Sequence, residues 1–389
     1  MIVSQIFFFF LLELFFSNNF LIKKNFFRKT NIFQSIDINE DEELYKKMYY
    51  NYLLEYELLP SEGDLKGSSV EIDDIFVERR ENFELFRYNL DKIVDFNKQN
   101  HSFKLGYNQF MDSYNDTSNS FLENTDCNSG KDLMDKKITL YDVIKNDFIS
   151  VKQLLENPLY YLEKYRNISD NLVWNSTIIT SVKNQKRCGS CWAFSSTSAI
   201  EANMRINNYN VTRLSEQQLV DCSIENNGCR GGLMHLAFDY VIANNGLTSN
   251  ENYPYNATDG ICKSEQNDSC KSYKNIPGSN IGKYNFIVPR SVVDIMASLK
   301  KGPISIAIDA SPFEFRFYKE GVIDVNPRNN SKLNHAVLLT GYEKYENGSY
   351  WIIQNSWGEK WGDNGFVKVK IENGNGILLS QLYGVYPFN

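Results

Sequence analysis

Apolar and polar positions divide the chain into two stretches of different texture. From residue 39 to about residue 100 the sequence is highly charged, and Phe83, Phe86, Leu90, Ile93 and Val94 recur there at spacings of three and four. That spacing places them on one face of an amphipathic helix within residues 70–97. Residues 111–131 are rich in Ser, Asn, Asp and Thr without apolar periodicity and read as a loop or linker. Residues 135–167 become periodic again, interrupted by Pro158. Beyond Trp174, Gly and Cys become frequent and short β-like runs alternate with turns. Only four of the 22 glycines (Gly63, Gly67, Gly106 and Gly130) precede that point, so a boundary is placed near residues 165–173.

In the second stretch, residues 191–206 read as a buried helix with Trp192, Phe194, Ala199, Ile200 and Met204 inside. Ser215 and Gln218 form a capping box at the start of another helix. Ile304, Ile306 and Ile308 alternate with small or polar residues, as do Val367, Val369 and Ile371, which is strand patterning. Residues 335–341 and 350–355 also read as strands. A helical lobe followed by a β-rich lobe is an α+β arrangement, and the cleft between the lobes is the default place for chemistry.

Composition narrows the function classes. Forty-one basic against 48 acidic side chains give a net charge of −7, the wrong sign for a nucleic-acid binder. No internal stretch approaches the roughly 18 apolar residues of a membrane span, and 26 Phe, 24 Tyr and 5 Trp exclude a disordered chain. Residues 6–16 are apolar at ten of eleven positions, Glu13 excepted, as in a secretory signal. A signal anchor is the rival reading, since Lys23, Lys24, Arg28 and Lys29 follow the apolar run. Asn-x-Ser/Thr triplets at Asn115, Asn167, Asn175, Asn210, Asn256, Asn267, Asn329 and Asn347 favour passage into the secretory pathway.

Seven cysteines leave at least one unpaired thiol to explain. Cys188-Gly189-Ser190-Cys191-Trp192 is the signature surrounding the papain and cathepsin nucleophile. Cys191 begins the buried helix, where unpaired N–H groups and the helix dipole favour a thiolate. A thiolate of this kind needs a histidine base, and the chain has three. His101 and His235 are assigned structural roles. His335, in Leu333-Asn334-His335-Ala336, lies 144 residues beyond Cys191, within the family spacing. On these motifs the chain resembles the papain-like cysteine proteases of the cathepsin L-like branch, over roughly residues 70–112 and 170–389.

The resemblance implies a two-lobed papain-like fold, with a helical lobe, a β-barrel-like lobe and a cleft between, preceded by a mainly helical inhibitory prosegment. In Gln354-Asn355-Ser356-Trp357-Gly358, Asn355 orients the His335 ring and Trp357 covers the pair. Gln185 supplies the oxyanion donor together with the Cys191 N–H. The resemblance also implies disulfides Cys188–Cys229 and Cys222–Cys262, leaving Cys127 and Cys270 unassigned. Gly189, Gly231 and Gly232 offer bare backbone to the substrate main chain. Leu233, Met234, Ala307, Leu333 and Tyr383 line an apolar pocket for the side chain two before the cut, Leu-like or smaller where Tyr383 intrudes. No metal or other cofactor is implied, and the mature enzyme is read as a monomer acting on protein and peptide substrates.

Upstream, Glu78, Phe86, Asn89, Ile93 and Asn97 keep the spacing of the helix motif of cathepsin L-like prosegments, with Asn82 in place of its Arg. Gly106, Asn108, Phe110 and Asp112 match the motif that follows it. The domains are accordingly residues 1–22 (signal peptide or anchor), 23–115 (prodomain), 116–168 (linker) and 169–389 (peptidase). Val173 replaces the Asp that normally precedes Trp174, and the mature N-terminus is placed near residues 167–172. Release in an acidic, lysosome-like or vacuolar compartment follows if Asp112 and Glu78 hold the prosegment with depressed pKa values. Two alternatives compete with an endopeptidase. A non-catalytic peptide-binding relative would have lost one of Cys191, His335, Asn355 or Gln185, and an exopeptidase would need a cleft-capping loop for which the spacing from Cys191 to Cys262 leaves little room.

Overall fold

A computed structural model describes residues 42–59, 76, 78–113, 168–263, 274–325, 331–345 and 348–388. The signal or anchor, residues 116–167 of the 116–168 linker, Cys127, Cys270 and the triplets at Asn115, Asn167, Asn267, Asn329 and Asn347 lie outside the described residues. The chain separates into a unit of residues 1–44 and a unit of residues 45–389. In the first, the described residues are the opening of one helix.

The upstream stretch forms helix α1 (Glu42–Glu55), helix α2 (Arg80–Lys98) and strand β1 (Phe103–Leu105). Helix α2 buries Phe83, Phe86, Leu90, Ile93 and Val94, the face its periodicity predicts, and adds Asn89 to it. Tyr49 of α1 packs against Phe83 and Phe86 at centroid distances of 5.5 and 5.2 Å, so aromatic contacts weld the two helices.

The second stretch begins with the short strand β2 (Leu172–Val173), followed by helices α3 (Cys191–Ile206), α4 (Glu216–Cys222) and α5 (Met234–Ala243). Helix α3 is buried from Cys191 through Met204 on every side, which explains why its pattern carries no polar face. Ser215 caps α4 by accepting the Gln218 N–H at 3.0 Å. The predicted box is half formed, because the Gln218 side-chain oxygen instead accepts the Thr248 N–H at 2.9 Å.

Strand β3 (Lys283–Phe286), helix α6 (Val292–Leu299), strand β4 (Ile304–Ile308), helix α7 (Phe313–Arg316) and strand β5 (Tyr318–Ile323) follow. Strands β6 (His335–Tyr345), β7 (Gly348–Gln354), β8 (Phe366–Lys370) and β9 (Tyr383–Phe388) complete the chain. The sheet runs β1-β5-β8-β7-β6-β4-β9-β3, with β2 also on β6. Among the described strands only β5 and β8 pair parallel. Strand β8 alternates buried and half-buried positions as its Val367 and Val369 predict. Strand β4 is buried on both faces, since Ser305 turns toward α3 and donates to the Ser195 carbonyl at 3.0 Å.

Two pairings matter for the site. Strand β1 joins the edge of β5, pairing Phe103 with Gly321 and Lys104 with Glu320, so the upstream stretch completes the sheet of the downstream one. At Gly321 (φ +93°) a Cβ would lie 2.4 Å from the Ser102 carbonyl oxygen, so the close approach of β1 requires glycine there. Strand β2 pairs Leu172 with Tyr342 and Val173 with Gly341, which carries the start of the second stretch across to the β-rich side.

Candidate active site

The helix start and β6 bring the two predicted reactive side chains together. Both Cys191 and His335 are fully buried, and the Ala336 N–H points at the Cys191 sulfur, 3.3 Å away. Asn355 leaves the end of β7 with its N–H fixed on the Gly365 carbonyl at 2.9 Å. Its side-chain oxygen accepts the Ser356 N–H at 2.8 Å, which identifies that atom as oxygen. His335 Nε2, also 2.8 Å from that oxygen, is therefore the protonated nitrogen. The other ring nitrogen, Nδ1, is buried without a hydrogen-bond partner among the described residues, the unprotonated state a base requires. Trp357 stacks on the imidazole at 4.8 Å and 30°, walling the pair from water. Burial pushes the His335 pKa down to about 4, against the upward pull of the Asn355 hydrogen bond.

Gln185 is fixed from both ends. Its carbonyl oxygen accepts the Ser356 hydroxyl at 2.7 Å and its amide donates to the Cys188 carbonyl at 3.0 Å. Beneath it, the buried Lys183 ammonium meets Glu201 at 2.8 Å, Glu216 at 2.6 Å and the Thr197 hydroxyl at 3.0 Å. This cation ties the strap carrying Gln185 to α3 and α4. Sequence reading missed it, because nothing in the spacing of one Lys and two Glu announces a buried cluster.

Cys188 and Cys229 form one disulfide and Cys222 and Cys262 another. Gly189 donates to the Cys229 carbonyl at 2.9 Å, so the first bridge and the Cys191 loop move as one piece. Gly231 adopts φ +106°, and a Cβ on Gly232 would meet the Asn226 side-chain oxygen at 2.4 Å and the Trp192 ring at 2.8 Å. Internal packing thus demands these glycines, in addition to any approach of substrate.

Leu233, Met234, Ala307 and Tyr383 lie in one apolar cluster with Cys191, and Leu333 packs on its rim. Register explains the grouping, since Ala307 of β4 faces Ala336 on one side and Tyr383 on the other. Tyr383 is directed by His235, whose Nδ1 is 2.6 Å from the phenol oxygen, a role the sequence did not reveal. Burial pushes the Tyr383 phenol up, which keeps it neutral.

The upstream motif residues bind one another and the rest. Asn89 donates to the Met111 carbonyl at 2.9 Å, Asn97 to that of Leu105 at 2.8 Å and Asn108 to that of Arg316 at 2.8 Å. Phe110 packs edge-on against Trp357 at 4.9 Å, and Gln109 donates to the Trp357 carbonyl at 2.9 Å. Gly106 sits where a Cβ would press on Lys319 at 2.9 Å, while Phe86 and Ile93 are core.

Asp112 corrects an expectation. It accepts from Tyr52 at 2.8 Å and Tyr49 at 3.3 Å, but burial outweighs these bonds and the nearby Arg79, so its pKa is raised and not depressed. Glu78 is exposed, and Asn82, in place of the motif's Arg, donates to the Asp112 carbonyl at 3.0 Å.

Comparisons with known proteins agree with this geometry. Residues 168–385 match the model of the papain family cysteine protease. A KDEL-tailed cysteine endopeptidase of Arabidopsis thaliana is 32% identical over 302 residues, covering 76% of each chain. Cathepsin L2 of Homo sapiens is 42% identical over 214 residues, 53% of this chain and 62% of that one. Among solved structures, the ragweed pollen cysteine protease Amb a 11 in its proform is 27% identical with a TM-score of 0.68, covering 90% of this chain and 96% of its own.

Proposed function

Because the chain belongs to the papain family of cysteine proteases, we propose that it is an endopeptidase made as a zymogen, with Cys191, His335, Asn355 and Gln185 as its catalytic set. The observation that carries this reading is the single acceptor oxygen of Asn355, which holds His335 with Nδ1 unprotonated beside Cys191. In the reaction Cys191, which is disulfide-bonded in this structure, acts as the reduced thiol: its proton passes to His335 Nδ1 and the thiolate attacks the peptide carbonyl carbon. The oxyanion so formed is received by the Gln185 amide and the Cys191 N–H. Collapse breaks the C–N bond, and His335 returns its proton to the departing amine. Water, deprotonated by the same nitrogen, then hydrolyses the thioester and restores Cys191.

Substrate main chain lies along Gly231–Gly232, with Gly189 beside the reacting carbonyl. Leu233, Met234, Ala307, Leu333 and Tyr383 receive an apolar side chain two residues before the cut. The His235-held phenol shortens that pocket and favours Leu or smaller. Residues up to 115 act as an intramolecular inhibitor, and the mature form, residues 169–389 in outline, works as a monomer. The disulfides Cys188–Cys229 and Cys222–Cys262 among the described residues and exposed Asn-x-Ser/Thr sites at Asn175, Asn210 and Asn256 support a glycoprotein of the secretory pathway. An acidic, lysosome-like or vacuolar destination is part of the same proposal.

An epoxide thiol inhibitor tests the reading. Full-length protein is treated at pH 7 and after incubation at acid pH, and the label is located by peptide mass spectrometry. Label on Cys191 only after acid, with loss of the upstream residues, is the expected outcome. A folded, processed chain that takes no label at Cys191 would refute it and favour a peptide-binding relative.

A further inference from the structure

Tyr255, which sequence reading did not single out, lies beside both segments that carry the oxyanion donors. Its hydroxyl donates to the main-chain carbonyl of Gln185 at 2.7 Å and lies 2.6 Å from the Ser190 hydroxyl. A carbonyl only accepts, and a phenol has one proton, so Ser190 is the donor to Tyr255. The protons therefore run from Ser190 to Tyr255 to Gln185, a chain in which each bond polarises the next. Burial pushes the phenol's pKa up, so the hydroxyl keeps its proton.

Each end of this chain matters to one donor. Gln185 offers its side-chain amide, and Ser190 directly precedes the Cys191 N–H. On the Gln185 side, Lys186 adopts φ +52°, in the left-handed region that a side chain disfavours. The peptide group entering that residue is held at both edges. Its N–H goes to the Asn184 side-chain oxygen at 2.9 Å, and its carbonyl oxygen takes the phenol. On the other side, Ser190 occupies the cap position of α3, yet its side chain makes no capping bond. The hydroxyl turns to Tyr255 instead, against the usual preference of a serine there. The ring is seated edge-on against the buried Phe194 of α3, at 4.8 Å and 88°.

Resting on the protease reading above, we propose that Tyr255 is a positioning residue of the oxyanion site, acting through Gln185 and not on the substrate. Its phenol fixes the peptide plane after Gln185 and, through that plane, the aim of the Gln185 amide. Ser190 ties the same phenol to the segment leading into Cys191. Without the hydroxyl, the left-handed turn at Lys186 is free to relax, and the amide loses its aim at the point where charge develops.

The test compares wild type, Tyr255→Phe, Gln185→Ala and the double variant as acid-processed enzymes with Cys191 reduced, each on one peptide substrate. Tyr255→Phe keeps the ring on Phe194 and removes only the hydroxyl. Its kcat is expected to fall about tenfold, a part of what the amide itself supplies, with KM changed by less than about twofold. Epoxide labelling of Cys191, which passes through no tetrahedral intermediate at a carbonyl, should keep its wild-type rate. In the Gln185→Ala background the same hydroxyl should matter by less than about twofold, because the group it aims is gone. An unchanged kcat in Tyr255→Phe overturns the proposal. So does a loss that multiplies in full with that of Gln185→Ala, or one matched by slower epoxide labelling, which places the effect on the thiolate. Should Tyr255→Phe fail to accumulate, Ser190→Ala removes the bond that orients the phenol and is read in the same cycle, with a smaller loss expected. A wild-type enzyme that cuts no peptide and takes no label at Cys191 overturns the protease reading itself.

Discussion

Acidification from pH 6.5 to 4.5 is expected to loosen the prosegment chiefly through His335. Burial holds its pKa at about 4, against an ordinary value of 6.5. A group depressed in this way contributes stability to the closed form above pH 6.5 and loses it as the pH falls toward 4. Within that window the closed form stays neutral while the open, hydrated histidine binds a proton. Because the open histidine is already half protonated at pH 6.5, the two units together favour opening by about 2 kcal/mol, a roughly fortyfold larger open population. Asp112 acts in the opposite sense, since its raised pKa makes protonation favour the closed form. The assay is hydrogen exchange on full-length Cys191→Ser protein, which cannot process itself. The Gly106 amide on the Phe317 carbonyl and the Val322 amide on the Ser102 carbonyl report the seam, after correction for intrinsic exchange. A His335→Gln variant should lose most of the acid dependence. If it opens as steeply as its parent, the buried imidazole is not the trigger.

Further outcomes are open to test. Asp112→Asn removes the opposing carboxylate, so opening should become steeper with acid; an unchanged exchange profile argues against that role. Gln185→Ala should lower kcat by about 10²-fold while Cys191 still takes an epoxide label, and steady-state kinetics on one peptide decide it. Lys183→Met strands Glu201 and Glu216 in the interior and should cost about 3–5 kcal/mol, read by denaturant unfolding of the zymogen. N-terminal sequencing of the mature form should place the cut before Ser169. The Ser169 carbonyl accepts the Tyr342 hydroxyl at 3.0 Å, and β2 is already part of the sheet. A mature chain beginning after Leu172 contradicts this.

What could be read from the chain depended on whether chemistry or burial was being asked for. Cys191 was legible because a five-residue signature surrounds it, and His335 because only one of three histidines stood at the family spacing. The α3 boundaries followed from a mostly apolar stretch at residues 191–206. Asp112 was misjudged because its motif fixes a contact and not a dielectric. The tyrosines that bond it, Tyr49 and Tyr52, come from α1, about 60 residues upstream. Gly232, assigned to the substrate main chain, carries a second demand that the motif did not reveal, since a Cβ there would meet Trp192 and Asn226. Lys183 and Tyr255 stayed hidden for a common reason. Each is defined by what folds against it, and those partners sit on distant segments.

The seam between β1 and β5 also bears on how the protein survives its own activation. While β1 is in place, the sheet edge at Tyr318–Ile323 is occupied. Once it is gone, a row of amide and carbonyl groups is bare at the moment many copies are converted together. Such an edge recruits strands from any chain within reach, including discarded prosegments and half-digested copies of the same protein. Lys319 and Glu320 remain exposed there, and a charge at each successive position discourages a stranger from lying flat along it. Solubility after maturation is then expected to lean on these two side chains, and neutralising both should make the processed protein prone to precipitate.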